Sequence, residues 1–146
     1  MAYYETNPRR NSLLGHLSFG VKSMSTCEPF YDAILAPFGI VQVFRNAPRS
    51  SAATTCGWGY GSSEPFTLFE SPEAAPHGKR THLAFNAPSR VAVKSFYEAA
   101  LKNGGTSDGE PGLRTLYGEN YYACFVFDPE GHRLEAVFQD PEAEQQ

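Results

Sequence analysis

Two histidines and two glutamates carry the chemistry this sequence can offer. His16 opens HLSFG, His82 opens HLAFN, Glu70 ends FTLFE and Glu135 lies in RLEAVF. Each run alternates apolar with small or polar residues, the period of a half-buried strand. Over 16–21, His16, Ser18 and Gly20 face one side, and Leu17, Phe19 and Val21 the other. Over 82–85, His82 and Ala84 oppose Leu83 and Phe85. Glu135 shares a face with Arg133 and Val137, opposite Leu134, Ala136 and Phe138. A single histidine at a strand start is usually a hydrogen-bonded residue, and a single glutamate at a strand end is usually solvated. Two of each, on open strand faces, suit a divalent metal. Mixed imidazole and carboxylate ligation fits Zn, Ni, Co, Mn or Fe(II) and leaves positions for water or substrate.

The elements that must position these residues come from an internal repeat. His16-Leu17-Ser18-Phe19 matches His82-Leu83-Ala84-Phe85, and Phe30-Tyr31-Asp32-Ala33-Ile34-Leu35 matches Phe96-Tyr97-Glu98-Ala99-Ala100-Leu101, both at an offset of 66. The glutamates are 65 apart, so the second copy differs by a one-residue insertion or deletion. Residues 13–75 and 76–139 therefore form two modules of a single 1–146 domain. In each, a helix follows the first strand. Ser25-Thr26-Cys27-Glu28 fits a capping box, with Pro29 in or just past the first turn. Phe30, Tyr31, Ile34 and Leu35 form the apolar stripe, and the helix ends near Pro37 and Gly39. In the second copy Ser89 is the cap, Val93, Phe96, Tyr97, Ala100 and Leu101 the stripe, and Gly104-Gly105 the stop. Three shorter strands follow in each copy, at 40–45, 54–60 and 65–70, then at 113–117, 121–127 and 133–138. Asp128-Pro129-Glu130-Gly131 has the composition of a type I turn and joins the last two. The expected fold is α+β: two tandem βαβββ modules forming a U-shaped cup of mixed and antiparallel sheet, with the helices outside.

Composition narrows the partners. The chain has 146 residues, a net charge of -4 and no dense Lys/Arg cluster, which argues against nucleic acid. No stretch approaches the roughly 18 apolar residues of a membrane span. The N-terminal MAYYETNPRRNS has no apolar signal region. Cys27, Cys56 and Cys124 are odd in number, widely spaced and without a CxxC, as expected of reduced, buried thiols in a cytoplasmic protein. GWGYG at 57–61 lacks a P-loop lysine and is expected to be a bent hairpin, His77 and His132 are expected in loops, and the tail from 139 is expected to be mobile.

The tandem βαβββ pattern, the two strand-opening histidines and FVFDPEGHRLEAVF together resemble the vicinal oxygen chelate superfamily, which contains glyoxalase I, extradiol dioxygenases, fosfomycin-resistance enzymes and bleomycin-binding proteins. The resemblance covers residues 13 to 139. It implies two modules around a metal, with ligand positions at His16, Glu70, His82 and Glu135, a set resembling the two-histidine, two-glutamate site of glyoxalase I. It also implies catalytic proton transfer by Glu135, with Glu70 second, beside a carbonyl whose vicinal oxygens the metal holds. Arg114, Tyr117, Tyr121, Tyr122 and Trp58 are the candidates for lining the cavity.

Departures from the family patterns bear on the substrate. Bacterial glyoxalase I carries an Arg four residues after the first ligand and an Asn four after the second, to hold glutathione; here these are Gly20 and Ala74. The dioxygenase pattern wants a Tyr where this chain has Phe125, and a His near 116–119, where none occurs. The fosfomycin-resistance pattern wants basic residues near a C-terminus that here reads DPEAEQQ. The expectation is a divalent-metal-dependent, glyoxalase-like lyase or isomerase acting on a small carbonyl or hydroxy-carbonyl compound, and working as a homodimer. The alternatives are a non-catalytic small-molecule binding protein of the antibiotic-sequestering kind and an Fe(II) extradiol-type dioxygenase.

Overall fold

The computed structural model describes residues 14–47, 53–61 and 65–139. The polar N-terminal segment and the acidic tail beyond 139, on which expectations fell, lie outside the described residues. The first half runs β1 (Leu17–Val21), α1 (Met24–Leu35), a 3-10 turn (Ala36–Phe38), β2 (Val41–Asn46), β3 (Thr55–Gly59) and β4 (Phe66–Glu70). The second runs β5 (His82–Asn86), α2 (Arg90–Lys102), β6 (Thr106–Leu113), β7 (Tyr122–Phe127) and β8 (Arg133–Phe138). Each half builds one four-stranded sheet, in the orders β1-β4-β3-β2 and β5-β8-β7-β6. First and last strands are parallel neighbours, and the other pairs are antiparallel. This is the α+β, twice-βαβββ architecture the repeat implies. Its consequence for function is direct. The strand that begins each half lies beside the strand that ends it, so a histidine on one can meet a carboxylate on the other.

The N-cap of helix α1 lies two residues before the expected one. Ser23, extended at φ -129°, is the N-cap, and its hydroxyl accepts from Thr26 N–H. Further N–H groups at the helix start are taken by carboxylates from distant parts of the chain. Glu130 accepts from the backbone of Lys22 at 2.6 Å and Ser23 at 2.8 Å, and Glu70 accepts from Met24 at 3.0 Å. Anionic partners also suit the positive end of the helix dipole. The stripe Phe30, Tyr31, Ile34 and Leu35 is fully buried. Gly39, at φ 73°, turns the chain out of the 3-10 segment. Helix α2 starts at the expected cap, Ser89, whose hydroxyl accepts from Ala92 N–H. It buries Ala92, Val93, Phe96 and Ala100, while Leu101 stays 42% exposed, so its stripe is narrower than the sequence suggests.

Strand β6 departs most from expectation. It runs Thr106–Leu113, and residues 114–117 form the turn that follows. TSDGEPGL is poor strand sequence, but β6 is the edge of its sheet and its register slips twice, between Ser107 and Gly109 and between Gly109 and Gly112. Bulged edge strands tolerate Gly and Pro because fewer ladder hydrogen bonds are required of them.

The halves share one core. Phe66 of β4 meets Phe85 of β5 edge-on at 5.5 Å, and Phe38 stacks on Phe96 of α2 at 5.5 Å. The turn between β7 and β8 fastens them further. Asp128, buried, accepts from Tyr31 Oη of α1 at 2.7 Å and from His132 Nδ1 at 2.9 Å, and His132 stacks on Phe19 of β1 at 4.5 Å. Burial alone would raise the Asp128 carboxyl, but the hydrogen bonds from His132 and Tyr31 outweigh it and hold the group below its ordinary value. The DPEGH segment thus does more than turn the chain. It locks the start of β8 to the first half.

Candidate metal and substrate site

The open face of the second sheet carries a cleft of about 840 Å³. Its floor holds His82 of β5 and Glu135 of β8. His82 pairs with Arg133 and Ala84 with Glu135 across the parallel ladder, which puts both side chains on one face, one strand apart. His82 Nε2 and Glu135 Oε2 are 3.3 Å apart. Glu135 is 2% exposed. The Tyr121 hydroxyl donates to its other oxygen, Oε1, at 2.5 Å. Burial first, then the adjacent Glu135 carboxylate, push the Tyr121 hydroxyl well above its usual pKa, so it remains a donor.

The second ring nitrogen of His82 sets its tautomer. Nδ1 lies 3.2 Å from the Arg80 carbonyl, and a carbonyl can only accept, so Nδ1 carries the hydrogen. In the neutral ring Nε2 is then a bare lone pair directed at Glu135 Oε2, another lone-pair group. Two lone-pair groups at this distance are held together by a proton on Nε2, which makes an ion pair, or by a metal cation between or beside them. Metal–N and metal–O bonds of about 2.0–2.2 Å place two ligands about 2.8–3.6 Å apart at octahedral or tetrahedral angles. The 3.3 Å separation fits that range. The Arg80 carbonyl and Tyr121 hydroxyl are the outer partners that such ligands commonly have.

The other two predicted ligands are not gathered here. Among the described residues no group of three His, Cys, Asp or Glu side chains could hold one metal. His16 stands exposed just ahead of β1. Glu70 is engaged elsewhere: its oxygens accept from Met24 N–H at 3.0 Å and Thr54 N–H at 3.4 Å. The hydrogen bond from Met24 is the main cause holding its pKa below the usual carboxylate value. The pleat explains the difference. Ser18 pairs with Thr67 as Ala84 pairs with Glu135, so the register partner of Glu135 in the first sheet is Thr67. Glu70, three positions beyond Thr67, lies on the opposite face of β4, the face of core residues Phe66 and Leu68.

Of the five predicted cavity residues, Arg114, Tyr117 and Tyr121 line the cleft. Trp58 does not. It is fully buried in the first half against Tyr31 and Phe66, and its Nε1 donates to Asp32 at 2.8 Å. Tyr122 is a core residue too, 8% exposed, with Arg90 over its ring. Alternation along β7 separates it from its neighbour Tyr121. The sequence reading missed Phe125, Asp108 and the 77–81 loop, all on the cleft wall. Arg133 could have been found, because it shares the face of Glu135. His77 lines the cleft, whereas His132 is buried in the turn. At the position where glutathione-binding relatives need an Arg, a Cβ on Gly20 would stand 3.2 Å from Ala74 Cβ.

The sequence profile of the Glyoxalase/Bleomycin resistance protein/Dioxygenase superfamily matches residues 13–136. The chain belongs to this superfamily. Among solved structures, a glyoxalase/bleomycin resistance protein from Albidiferax ferrireducens T118 is 26% identical, with a TM-score of 0.72, covering 88% of this chain and 100% of that one. A mutant of the fosfomycin resistance protein FosX from Listeria monocytogenes, complexed with Mn(II) and a dihydroxypropylphosphonic acid, shares the fold at 16% identity and TM-score 0.66, over 92% and 98% of the two chains. A glyoxalase I mutant from Zea mays shares it at 19% identity and TM-score 0.63, over 85% of this chain and 43% of that one. No curated protein matches the chain. Within the superfamily, this member shows an ordered His82–Glu135 pair in a cleft lined, among the described residues, by its second half alone. No helix of the described residues is long and apolar enough to cross a membrane.

Proposed function

We propose that the chain is a divalent-metal-dependent lyase or isomerase of the glyoxalase type, acting on a small carbonyl or hydroxy-carbonyl compound. The observation that carries this reading is the pair of lone-pair groups, His82 Nε2 and Glu135 Oε2, held 3.3 Å apart by outer hydrogen bonds. These two residues would hold the metal, with His16 of a second copy in a homodimer as the third ligand. Glu70 serves the helix cap in this reading. A bound metal would supply Lewis-acid stabilisation of negative charge on two vicinal substrate oxygens.

The protein's own groups do the rest. Tyr121 fixes Oε1 of Glu135 and leaves Oε2 as the oxygen that faces the cleft. That oxygen is placed to take a proton from the carbon beside a bound carbonyl and to return it to the neighbouring carbon. Phe125 and Tyr117 give the substrate apolar walls. The test is solvent exchange. Protein supplied with each candidate metal is incubated in D2O with a panel of small hydroxy-aldehydes and hydroxy-ketones, and deuterium at the carbon next to the carbonyl is followed by NMR. Exchange that Glu135→Gln abolishes is the expected result; no exchange with any compound or metal would sink the reading.

The engagement of Glu70 favours a second reading. Two histidines and one carboxylate are also the ligand set of non-haem Fe(II) oxygenases. Oxygen uptake in the presence of iron and a catechol would select it.

A further inference from the structure

Among the described residues the cleft wall carries more cations than carboxylates, and Arg114 is the one held in place by hydrogen bonding and by the strand beneath it. Four cationic side chains line the cleft, Lys79, Arg80, Arg114 and Arg133, against two carboxylates, Asp108 and Glu135. Asp108 is taken by Arg133 at 2.6 Å, and Glu135 accepts from Tyr121 and faces His82. Among the described residues no carboxylate pairs with Arg114. Its guanidinium is nonetheless fixed in place. Nη2 donates to the Glu110 carbonyl at 2.6 Å, and the head lies 5.8 Å from the centre of the Phe125 ring. The strand beneath it is shaped for it: a Cβ on Gly109 would stand 3.2 Å from Nη2, and one on Gly112 3.2 Å from Nη1. Gly109 also holds φ 154°, at the edge of the region L-residues rarely adopt. The two glycines leave a shelf on which the guanidinium rests, half-buried and with N–H donors to spare.

Position gives this cation a use. Arg114 N–H donates to the Tyr121 carbonyl at 2.7 Å, so the residue that positions Glu135 and this cation are paired across one turn. His82 and Arg114 both lie within 6 Å of the Phe125 ring centre. The geometry points to a substrate that carries an oxyanion group, a carboxylate or a phosphate, beside the oxygens that His82 and Glu135 address. Arg114 receives the oxyanion with a fork of N–H groups, and the Phe125 ring, with Arg133 over it at 4.4 Å, borders both subsites. This assignment rests on the proposed site for its location, and it names the substrate class that the site would take.

Three probes share a hydroxy-ketone and differ in charge: dihydroxyacetone is neutral, hydroxypyruvate ends in a carboxylate, and dihydroxyacetone phosphate ends in a phosphate. Binding is measured by calorimetry on the protein as purified and again after chelation, so neither turnover nor metal is needed for the readout. One of the anions is expected to bind at least about tenfold more tightly than dihydroxyacetone, the worth of a charge-assisted pair. Which anion it is tells carboxylate from phosphate. Arg114→Met is expected to erase the preference, and Arg114→Lys, which keeps the charge and loses the fork, to retain part of it, with folding of both checked by circular dichroism. Equal affinities for all three probes, no binding of either anion, or a preference that survives in Arg114→Met would overturn the assignment. An anion preference through Arg114 in protein that takes up no divalent metal on reconstitution would refute the metal reading and leave this one standing.

Discussion

The Tyr121 hydroxyl meets Glu135 Oε1 at 2.5 Å, and that bond leaves Oε2 as the oxygen beside His82. Tyr121→Phe should leave the fold intact, because the ring remains, yet weaken metal binding about 10- to 100-fold, as loss of an outer hydrogen bond to a ligand commonly does. Titration of the variant with Zn or Mn checks it. At this scale the sequence was readable where periodicity and repetition agreed. His82 and Glu135 lie on the open faces of their strands, as alternation demanded. It was unreadable where a residue type serves two ends. Trp58 and Tyr122 suit a cavity wall and a core equally well, and only the packing of α1 and α2 over the sheets shows that both are core. Asp108 sits in a strand whose sequence hides it, so its pairing with Arg133 gave no local signal.

Elements decide the fate of Glu70. The repeat places it within one residue of the position matching Glu135, and the spacing alone cannot say which way the strand alternates there. Parallel pairing of β1 with β4 puts Thr67 in the matching place and sends Glu70 to the N-terminus of α1. Glu70→Gln is accordingly expected to cost about 0.5–2 kcal/mol of stability in urea unfolding, the range of a lost helix cap, while bound metal stays unchanged. A second element-level device is the Asp128 turn. Tyr31→Phe should cost about 1–2 kcal/mol, and Asp128→Ala about 3–5 kcal/mol, since it strands buried partners. The sign of the pH dependence follows from the lowered carboxyl. Its stabilising contribution is complete above the ordinary Asp value of about 3.9 and is lost as pH falls through the lower folded value. Unfolding followed between pH 5 and pH 2 should show Asp128→Asn losing less stability than the parent chain over that interval. The turn itself was legible from DPEG; its attachment to Tyr31 and Phe19 was not, because these partners lie about a hundred residues away.

The whole molecule presents a second-half cleft that none of the described first-half residues lines, and an exposed His16 in a first half whose own register lacks a carboxylate. A homodimer that brings the first half of one copy over the second half of another would use both. Mixing His16→Ala chains with His82→Ala chains then yields hybrid dimers in which one site has neither histidine and the other has both. Metal content of the mixed sample should rise above that of either variant alone, whereas a site built within one chain would show no rise. The central claim, however, is the metal itself, and elemental analysis of untagged protein tests it most directly. The account predicts about one divalent ion for each His82–Glu135 pair, lost in His82→Ala and Glu135→Gln and kept in Glu70→Gln. Protein that stays empty after reconstitution with Zn, Ni, Co, Mn and Fe(II) would contradict it, and would leave the His82–Glu135 contact as a protonated ion pair in a binding cleft.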